Sequence, residues 1–439
     1  MGQVNLKQAL SPRLYAAASK ITETLENAGY EVFLIGGSVR DILLKRNLSD
    51  LDFTTNALPG DVRRLFPSHI PVGEKFGTIL VLIDKIPFEV TTYRHETGYS
   101  DGRRPDHITF GTSLAEDVLR RDFTINGLAV RFPDGQVIDH VEGERDIAAK
   151  IIRCIGSAQE RFQEDGLRPI RACRFAATLG FDFDSQIFPA ILGSIAITAK
   201  IAPERFYDEW RKTLKIENRA RFWELLIETG IYAHFFSKFS RIGENRVSCS
   251  AFLENINSFE IQTMGEYMFL LAVEERLHHS SLESFLSQCM VPYFRESRFP
   301  RKEEDLCKAL LGSPFIELIQ EKVNARRQWK TAISAVPRAQ IESHRKMVIP
   351  YYGNLYHIHD QSFVEQLQHL IDDIFESQDP LYLSDLAVNG NDLKETLQIN
   401  GPVVGELLQK LLLAVHENPT LNHHEGLLQL SKKLYSQMS

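Results

Sequence analysis

The sequence predicts an α+β head, built from a small mixed β-sheet with helices, followed by an elongated and entirely helical remainder. Two observations lead to this prediction. Residues 31–140 alternate short runs of β-forming residues with turns. From about residue 143 to the end, apolar residues instead recur at helical spacing. A run of strands followed by a run of helices is typical of an α+β arrangement.

The elements of the head follow from their composition and from the turns between them. Helices are expected over residues 39–46 and 59–66, after the first and second strands. Pro133-Asp134-Gly135 lies between two strand candidates and indicates a hairpin, because Asp-Gly suits a tight turn. The predicted strands are Glu31–Ile35, Leu51–Thr54, Thr78–Ile83, Phe88–Tyr93, Gly127–Phe132 and Gln136–Asp139.

The amino-terminal segment has two interpretations. Its first 22 residues contain basic residues but no acidic ones, which is typical of a transit peptide. Ser11-Pro12 is also a typical helix start, and apolar residues recur at helical spacing from there to Gly29. We predict the first helix of the fold here and leave a targeting role open.

Composition limits the classes of protein and partner. The 439 residues suffice for two to four domains of about 100–200 residues each. The 50 basic and 58 acidic side chains give a net charge of −8, so a nucleic-acid site has to be local. The five cysteines lie far apart without a CxxC pair, which favours a reducing compartment and a cytoplasmic location. No apolar run reaches 18 residues, so no membrane partner is expected.

One stretch departs from the global charge. Residues 291–345 carry 11 basic and 7 acidic side chains, with aromatic residues between them. Basic and aromatic residues together can bind phosphates and stack on bases. A solvated helical face has the same composition, so both interpretations stay open. The interleaved aromatic residues are Tyr293, Phe294, Phe299 and Trp329.

The segment 33–41, FLIGGSVRD, takes an apolar strand into two glycines and then into a helix. Glycines let the backbone approach a triphosphate, and the free amides at a helix start favour anions. The segment is neither GxGxxG nor GxxxxGK[ST], which disfavours dinucleotide-binding and Walker-type folds. The predicted phosphate-binding residues are Gly36, Gly37, Ser38 and Arg40.

A pair of carboxylates follows ten residues later. On a strand, Asp50 and Asp52 would point to one face while Leu51 and Phe53 pack inward. Adjacent carboxylates repel each other unless cations lie between them, and hard oxygen ligands suit Mg²⁺ bound to nucleotide phosphates. Glu89 could supply a third carboxylate from a neighbouring strand. The competing interpretation is that Asp50 only caps a turn.

These motifs carry a family resemblance. GGSVRD (36–41) and DLD (50–52) resemble the nucleotidyltransferase superfamily related to DNA polymerase β. RRDFTINGL (120–128) and EDGLR (164–168) resemble motifs of class II tRNA nucleotidyltransferases, which are the CCA-adding enzymes, and of the related bacterial poly(A) polymerases. The resemblance is dense over residues 31–215 and returns within 386–405.

The resemblance implies roles for individual residues. Asp165 and Arg168 are expected to share one helical face and to read the base, because a carboxylate and a guanidinium can bond to a Watson–Crick edge. Without the head motifs, the same pair would be an ordinary surface ion pair. Ribose recognition is implied for Arg121 and Asp122. The implied nucleotide-binding set also includes Asn126, Arg171 and Arg174.

Residues 95–106 contain two glycines, a proline and mixed charges, which indicates a mobile lid. The segment resembles the family's flexible loop, which is linked to the switch from C to A addition. Relatives that add only CC lack this loop, so its presence favours a chain that adds A.

Taken together, the resemblance implies a polymerase β-like head (1–145), a helical neck for base recognition (146–225), a helical body (226–345) and a helical tail that binds tRNA (346–439). The implied enzyme adds CCA to the 3′ end of tRNA without a template, using CTP and ATP and releasing pyrophosphate. Its catalytic residues are Asp50, Asp52 and Glu89, and Asp50 and Asp52 would hold Mg²⁺ in a two-metal mechanism.

Three alternatives remain open. The chain could add only A and work with a separate CC-adding partner, or it could be a poly(A) polymerase. It could also be a tRNA-binding protein without catalysis, although crowded carboxylates facing an anionic ligand argue against this. A monomer is favoured, but the sequence leaves the oligomeric state undetermined.

Overall fold

The computed structural model describes most of the chain, and its contacts divide into two compact units. The first comprises Met1–Asn257 with Arg295–Arg298, and the second Ser258–Phe294 with Phe299–Ser439. The four-part division expected from the sequence stays a prediction. The described residues are 2–48, 50–71, 73–97, 107–111, 113–356 and 360–438, apart from the side chains of 96, 97 and 361.

Within the described residues, the first unit is organised by a seven-stranded mixed sheet of order β3-β4-β5-β2-β1-β8-β9. Neighbouring strands in it are antiparallel except β2 and β5, which run parallel. The predicted mixed sheet is therefore confirmed. The strands are β1 Val32–Ile35, β2 Asp52–Thr55, β3 His69–Ile70, β4 Thr78–Ile83, β5 Ile86–Thr92, β6 Arg94–Thr97, β7 His107–Phe110, β8 Leu128–Val130, β9 Val137–Asp139, β10 Ile151–Ile152 and β11 Asp182–Phe183.

The remainder is mostly helical, as predicted, although the expectation of an entirely helical remainder is wrong because β10 pairs with β11. The α-helices of the described residues are α1 Leu6–Ala9, α2 Pro12–Asn27, α3 Gly37–Leu43, α4 Pro59–Leu65, α5 Leu114–Leu119, α6 Gly143–Ala149, α7 Ala158–Glu164, α8 Leu167–Leu179, α9 Ile187–Thr198, α10 Pro203–Lys212, α11 Arg219–Glu228, α12 Ile231–Phe235, α13 Ser240–Glu244, α14 Arg246–Ser258, α15 Met264–Arg276, α16 Leu282–Phe285, α17 Val291–Ser297, α18 Arg301–Leu311, α19 Phe315–Gln320, α20 Arg326–Ala335, α21 Ile341–Ser343, α22 Ile349–Tyr356, α23 Gln361–Glu376, α24 Gly390–Leu397, α25 Pro402–Glu417 and α26 His424–Ser436. In the part of the chain described here, none of these helices combines the length and the apolar character needed to cross a bilayer.

Local signals explain several boundaries. Helix α2 begins after Ser11, whose hydroxyl accepts a hydrogen bond from the backbone N–H of Leu14, and it ends just before Gly29. The predicted hairpin joins β8 to β9. Gly135 is required in this turn, because a Cβ atom there would lie 1.8 Å from the carbonyl oxygen of Val4 and its φ is +74°.

Strand β1 lies at the centre of the head core and is buried on both faces. Leu34 belongs to a large apolar cluster that includes residues of α2, whereas Ile35 belongs to a smaller cluster with Val118 of α5. A strand buried on both faces needs a continuous apolar run, which is why VFLI precedes the two glycines. This packing fixes the position of the glycine turn at the end of β1.

The aromatic residues between 291 and 345 do not form a stacking surface. Tyr293, Phe294, Phe299 and Trp329 are all buried in the helical core. Basic residues near them are largely ion-paired, for example Lys308 with Glu304. The interpretation of this stretch as a base-stacking patch is therefore wrong. Aromatic residues at helical spacing more often fill a core than face solvent.

Of the predicted lid, residues 98–106 lie outside the described residues. The preceding residues 95–97 belong to β6, which pairs with β7, so the expectation of a loop is wrong for them. The partner of β6 lies ten residues further along the chain, and local composition gives no sign of that pairing.

Candidate active site

The glycine turn follows β1 directly and leads into α3. Gly36 has φ +80° and ψ −138°, a conformation that only glycine adopts readily. The Ser38 hydroxyl is buried and donates a hydrogen bond to the Ile35 carbonyl (3.0 Å). The Arg40 guanidinium is also buried and donates to Asp41 and to the Asn126 side-chain oxygen (2.7 Å). The two side chains of the predicted phosphate-binding set, Ser38 and Arg40, therefore have protein partners that shape the turn.

The predicted catalytic carboxylates lie at the same end of the sheet. Asp52 begins β2, lies opposite Ile35 of β1 and pairs in register with Glu89 of the parallel strand β5. Asp50 is exposed and precedes β2, so it lies outside the strand on which it was expected, but its negative charge acts on Asp52. Burial, followed by the negative charges of Glu89 and Asp50, raises the pKa of Asp52 to about 7, against the opposing effect of Arg121.

A divalent cation fits this donor set. Among the described residues, no three acidic, histidine or cysteine side chains converge closely enough to hold a metal ion by themselves. Mg²⁺ commonly binds through one or two carboxylates and completes its shell with water and substrate phosphates. Asp52 and Glu89 lie side by side in register, and burial together with the neighbouring negative charges raises the pKa of Asp52, an arrangement that a bound cation would relieve. Asp52, Glu89 and Asp50 are therefore suited to a cation shared with a nucleotide.

The segment 120–128 brings three of the predicted residues to the site. Asp122 accepts hydrogen bonds from Arg171 (2.5 and 2.8 Å) and from the Asn126 amide (3.1 Å). Burial opposes ionisation of Asp122, but Arg171 and Asn126 lower its pKa to about 2. Arg121 donates to Asp117 (3.1 Å), and a Cβ atom on Gly36 would lie 3.4 Å from its Nη1 atom. The Arg121 guanidinium thus lies beside the glycine turn.

The base-reading pair is arranged differently from the prediction. Helix α7 ends at Glu164 and α8 begins at Leu167, so Asp165 lies in the extended junction and shares no helical face with Arg168. The Asp165 carboxylate accepts a hydrogen bond from the Leu167 N–H (3.0 Å), which favours a break before Gly166.

Each member of the predicted pair has a different side-chain partner. Arg205 of α10 donates two hydrogen bonds to the Asp165 carboxylate (3.0 and 2.9 Å). Arg168 donates to the Glu164 carboxylate and to the Arg161 carbonyl (2.9 Å). Planar, bidentate pairing orients a carboxylate well. The Asp165 side chain in the junction and the Arg168 side chain in α8 are therefore held in place by different partners.

Phe175 of α8 lies near the glycine turn, where its ring is close to Arg40. Three guanidinium groups lie near its ring, those of Arg174 (4.1 Å from the ring centroid), Arg40 (5.1 Å) and Arg171 (5.2 Å). Arg174 also donates to the buried Glu209 carboxylate (2.5 Å). The predicted nucleotide-binding arginines are thus brought together, but each also has a structural partner.

Three residues that pair with the predicted site residues were not predicted from the sequence: Asp117, Arg205 and Glu209. All pair with predicted site residues, and Arg205 and Glu209 lie four residues apart on α10. The available signal was an acidic residue in an otherwise buried position of a helix, since Asp117 precedes Val118 and Glu209 precedes Trp210. That signal marks a buried acid but does not identify its partner.

Replacing Glu209 by glutamine should lower the free energy of unfolding by about 3 kcal/mol, because Arg174 and Lys212 lose their common carboxylate partner. Burial opposes ionisation, but these cations and Arg171 lower the pKa of Glu209 from 4.5 to about 2. This contribution is therefore complete above pH 4.5 and is lost as the pH falls towards 2.

Urea unfolding between pH 7 and 3 measures this effect. The variant should lose the part of the acid dependence that Glu209 supplies. Glu228→Gln removes an exposed carboxylate of α11 and should change stability by less than about 0.5 kcal/mol. Equal effects of the two substitutions would contradict the assignment.

The chain is similar in sequence to known proteins. A family model described as "Poly A polymerase head domain" matches residues 32–153, and one described as "Probable RNA and SrmB- binding site of polymerase A" matches residues 180–242. The chain is 33% identical to a CCA-adding enzyme of Bacillus cytotoxicus over 416 residues, which are 94% of this chain and 97% of the relative. It is 45% identical to a CCA-adding enzyme of Lactiplantibacillus plantarum over 223 residues, which are 51% of this chain and 54% of the relative.

The fold agrees with these sequence relatives. The structure described as "Crystal structure of Bacillus stearothermophilus CCA-adding enzyme in complex with CTP" superposes with a TM-score of 0.76 at 29% identity. The superposition covers 98% of this chain and 99% of that one. The similarity therefore extends through the head and the helical remainder alike.

Proposed function

This chain belongs to the family of CCA-adding enzymes, which are tRNA nucleotidyltransferases, and we propose that it completes the 3′ CCA end of tRNA from CTP and ATP at the site formed by β1, β2, β5 and α8. The observation that carries the proposal is the in-register pairing of Asp52 with Glu89 at the end of the sheet that bears the glycine turn, where burial and the neighbouring carboxylates raise the pKa of Asp52. Such a carboxylate site needs a cation, and a nucleoside triphosphate brings phosphate ligands for it.

The reaction joins the terminal ribose hydroxyl of the RNA to the α-phosphate and releases pyrophosphate. Asp52, with Asp50 and Glu89, would hold Mg²⁺ at the reacting phosphate. When bound, the cation lowers the pKa of the attacking hydroxyl and balances charge on the triphosphate. The protein itself supplies positioning. The resemblance implies ribose recognition for Arg121, but its guanidinium lies beside the glycine turn, and this position supports a phosphate-binding role for Arg121 together with the backbone of the turn.

The ribose and the base would be bound by different residues. Asp122 is held ionised by Arg171 and Asn126, and a fixed carboxylate is a suitable acceptor for a ribose hydroxyl. Asp165, in the junction between α7 and α8, and Arg168, in the first turn of α8, would bind the base. The guanidinium groups of Arg174, which lies on α8, and of Arg40, which follows the glycine turn, both lie near the Phe175 ring. These contacts link α8 to the turn.

Base choice follows from the donor pattern of this pair. Cytosine and adenine both present an exocyclic amino group to an acceptor such as the Asp165 carboxylate, and a neighbouring ring nitrogen accepts from a guanidinium. Uracil and guanine present a carbonyl oxygen at the corresponding position, which the carboxylate repels. One acceptor and one donor can therefore select C and A without a nucleic-acid template.

Incubation with tRNA lacking its last three nucleotides, together with labelled CTP, labelled ATP and magnesium, tests the proposal. We expect two C residues and one A residue to be added, because the site favours these two bases and the family completes CCA. Sequencing of the product 3′ end measures the result. The control is tRNA that already ends in CCA, which should not be extended.

Other outcomes would identify the alternatives. Addition of A only to tRNA ending in CC, with no CTP incorporation, would indicate an A-adding enzyme that needs a CC-adding partner. Long A tracts would indicate a poly(A) polymerase. Tight tRNA binding without incorporation at any magnesium concentration would indicate a binding protein and would overturn the proposal.

A further inference from the structure

Asp117 is a buried carboxylate to which no role has been assigned. It lies on α5 and its side chain is completely inaccessible to solvent. One of its oxygens accepts hydrogen bonds from Nε and Nη2 of Arg120 (2.8 and 2.6 Å), and the other accepts from Nη2 of Arg121 (3.1 Å). Burial opposes ionisation, but the two guanidinium groups lower the pKa of Asp117, so it carries a negative charge at neutral pH.

The two arginines bound to Asp117 contact different parts of the proposed site. Arg121 extends to the glycine turn, where its Nη1 atom would lie 3.4 Å from a Cβ atom on Gly36, and its charge acts on Asp52. The backbone carbonyl of Arg120 accepts a weaker hydrogen bond from Arg168 (3.4 Å). Asp117 is therefore bonded to one arginine that reaches the glycine turn and to a second whose backbone accepts from Arg168 of α8.

Arg121 has few alternatives to this partner. Its Nε atom is buried and has no hydrogen-bond partner among the described residues. The charge of Asp122 also acts on Arg121, and the charge of Arg121 acts on Asp52. Asp122 is already bound by Arg171. If Asp117 lost its charge, the Arg121 guanidinium would be drawn towards Asp52, away from the turn and onto a carboxylate proposed to bind the cation.

We propose that Asp117 is a positioning residue, which holds Arg121 against the glycine turn and so sets the affinity of the site for the triphosphate of the incoming nucleotide. The inference rests on the proposed function, because that function assigns the triphosphate to this turn. Asp117 acts on the part common to CTP and ATP, whereas Asp165 acts on the base. Loss of the Asp117 charge should thus weaken the binding of CTP and of ATP by the same factor.

The test is nucleotide binding by Asp117→Asn, measured by titration calorimetry of the full-length protein with magnesium and without tRNA. The decisive quantity is the ratio of the dissociation constants of CMP and CTP, which reports the contribution of the β- and γ-phosphates. We expect this ratio to fall about tenfold to a hundredfold in the variant, which corresponds to loss of one charge-assisted contact. The ratio for AMP and ATP should fall by the same factor.

A matched control separates positioning from stability. Asp146 is likewise buried and accepts hydrogen bonds from Arg153 (3.0 and 3.2 Å) and from Thr124 (2.7 Å), but within the described part of the chain it makes no hydrogen bond to the turn or to Arg121. Asp146→Asn should lower the melting temperature, as Asp117→Asn does, and leave the CMP/CTP ratio unchanged. A similar fall of the ratio in both variants would assign Asp117 a structural role only and would overturn the inference.

A second variant keeps the inference testable if Asp117→Asn does not fold. Arg121→Gln leaves Asp117 with its Arg120 partner and should lower the CMP/CTP ratio by the same factor. Where Asp117→Asn folds, the double variant should bind no more weakly than Arg121→Gln, because the two residues act as one unit. Unchanged ratios in either single variant, or tighter CTP binding by Asp117→Asn, would overturn the inference.

Failure of this inference is distinct from failure of the proposed function. If the wild-type protein completes CCA and the ratio does not respond to Asp117, only the positioning role is wrong. If the wild-type protein incorporates no nucleotide, the proposed function itself is wrong.

Discussion

Replacement of Asp52 by asparagine should reduce nucleotide incorporation by a factor of about 10³ or more, because it removes the most strongly perturbed carboxylate of the proposed cation site. Asparagine keeps the size of the side chain and the start of β2, but it supplies no negative charge. Single-turnover incorporation of labelled CTP into truncated tRNA measures the loss. tRNA binding, measured by filter retention, should stay within about twofold, because Asp52 repels rather than attracts phosphates.

Two further variants sharpen this result. Asp50→Asn should also impair incorporation, but its carboxylate is exposed and lies outside β2, so the loss should be smaller. Asp84→Asn is the matched control, because it removes an exposed carboxylate from the turn between β4 and β5 and only a surface ion pair with Lys20. Chelation of divalent cations should abolish the wild-type activity. Near-normal turnover by Asp52→Asn would rule out the metal assignment.

Replacement of Asp165 by alanine should loosen the choice of CTP over UTP by about tenfold to a hundredfold, because one correctly placed base contact contributes about 1–3 kcal/mol of discrimination. Oδ1 of Asp165 accepts from both Arg205 and the Leu167 N–H, whereas Oδ2 accepts from Arg205 alone among the described residues and so keeps a lone pair for a base amino group. Competition between labelled CTP and UTP in a single reaction measures kcat/KM for each nucleotide. An unchanged preference would contradict base reading by Asp165.

Asp165 also accepts the Leu167 N–H at the start of α8, so its removal costs some stability as well. Ser157→Ala is a suitable control, because the Ser157 hydroxyl likewise accepts a backbone N–H at the start of a helix, that of Glu160 in α7 (3.5 Å), and is not among the proposed base-reading residues.

Arg205→Ala leaves the Asp165 carboxylate in place but removes the two hydrogen bonds that orient it. We expect it to raise KM for CTP and ATP more than it lowers kcat.

Local pattern was sufficient where function and fold use the same short segment. The apolar run of β1, the obligatory glycine at position 36 and the acidic residue that opens β2 are all signals from neighbouring residues. The mixed sheet and the helical remainder could be predicted for the same reason, since both depend on the period of the apolar residues. Glu89 could be anticipated because it lies on a recognisable strand.

Long-range pairing could not be predicted in this way. Glu209 and Arg174 are 35 residues apart, and Arg205 and Asp165 are 40 apart, so only the packing of α10 against α8 brings them together. The prediction that Asp165 shares a helical face with Arg168 was wrong for a different reason. A glycine follows it at position 166, and this Asp-Gly pair favours a helix break that the helical spacing alone conceals.

The parallel register between β2 and β5 limits how the length of this chain can vary. Asp52 lies beside Glu89, so a slip of one residue would bring Phe88 or Val90 beside it and turn the glutamate towards the core. Insertions and deletions should therefore be excluded from these two strands during evolution. The turn over residues 45–48, between α3 and β2, carries no such constraint and is the natural place for length differences among relatives.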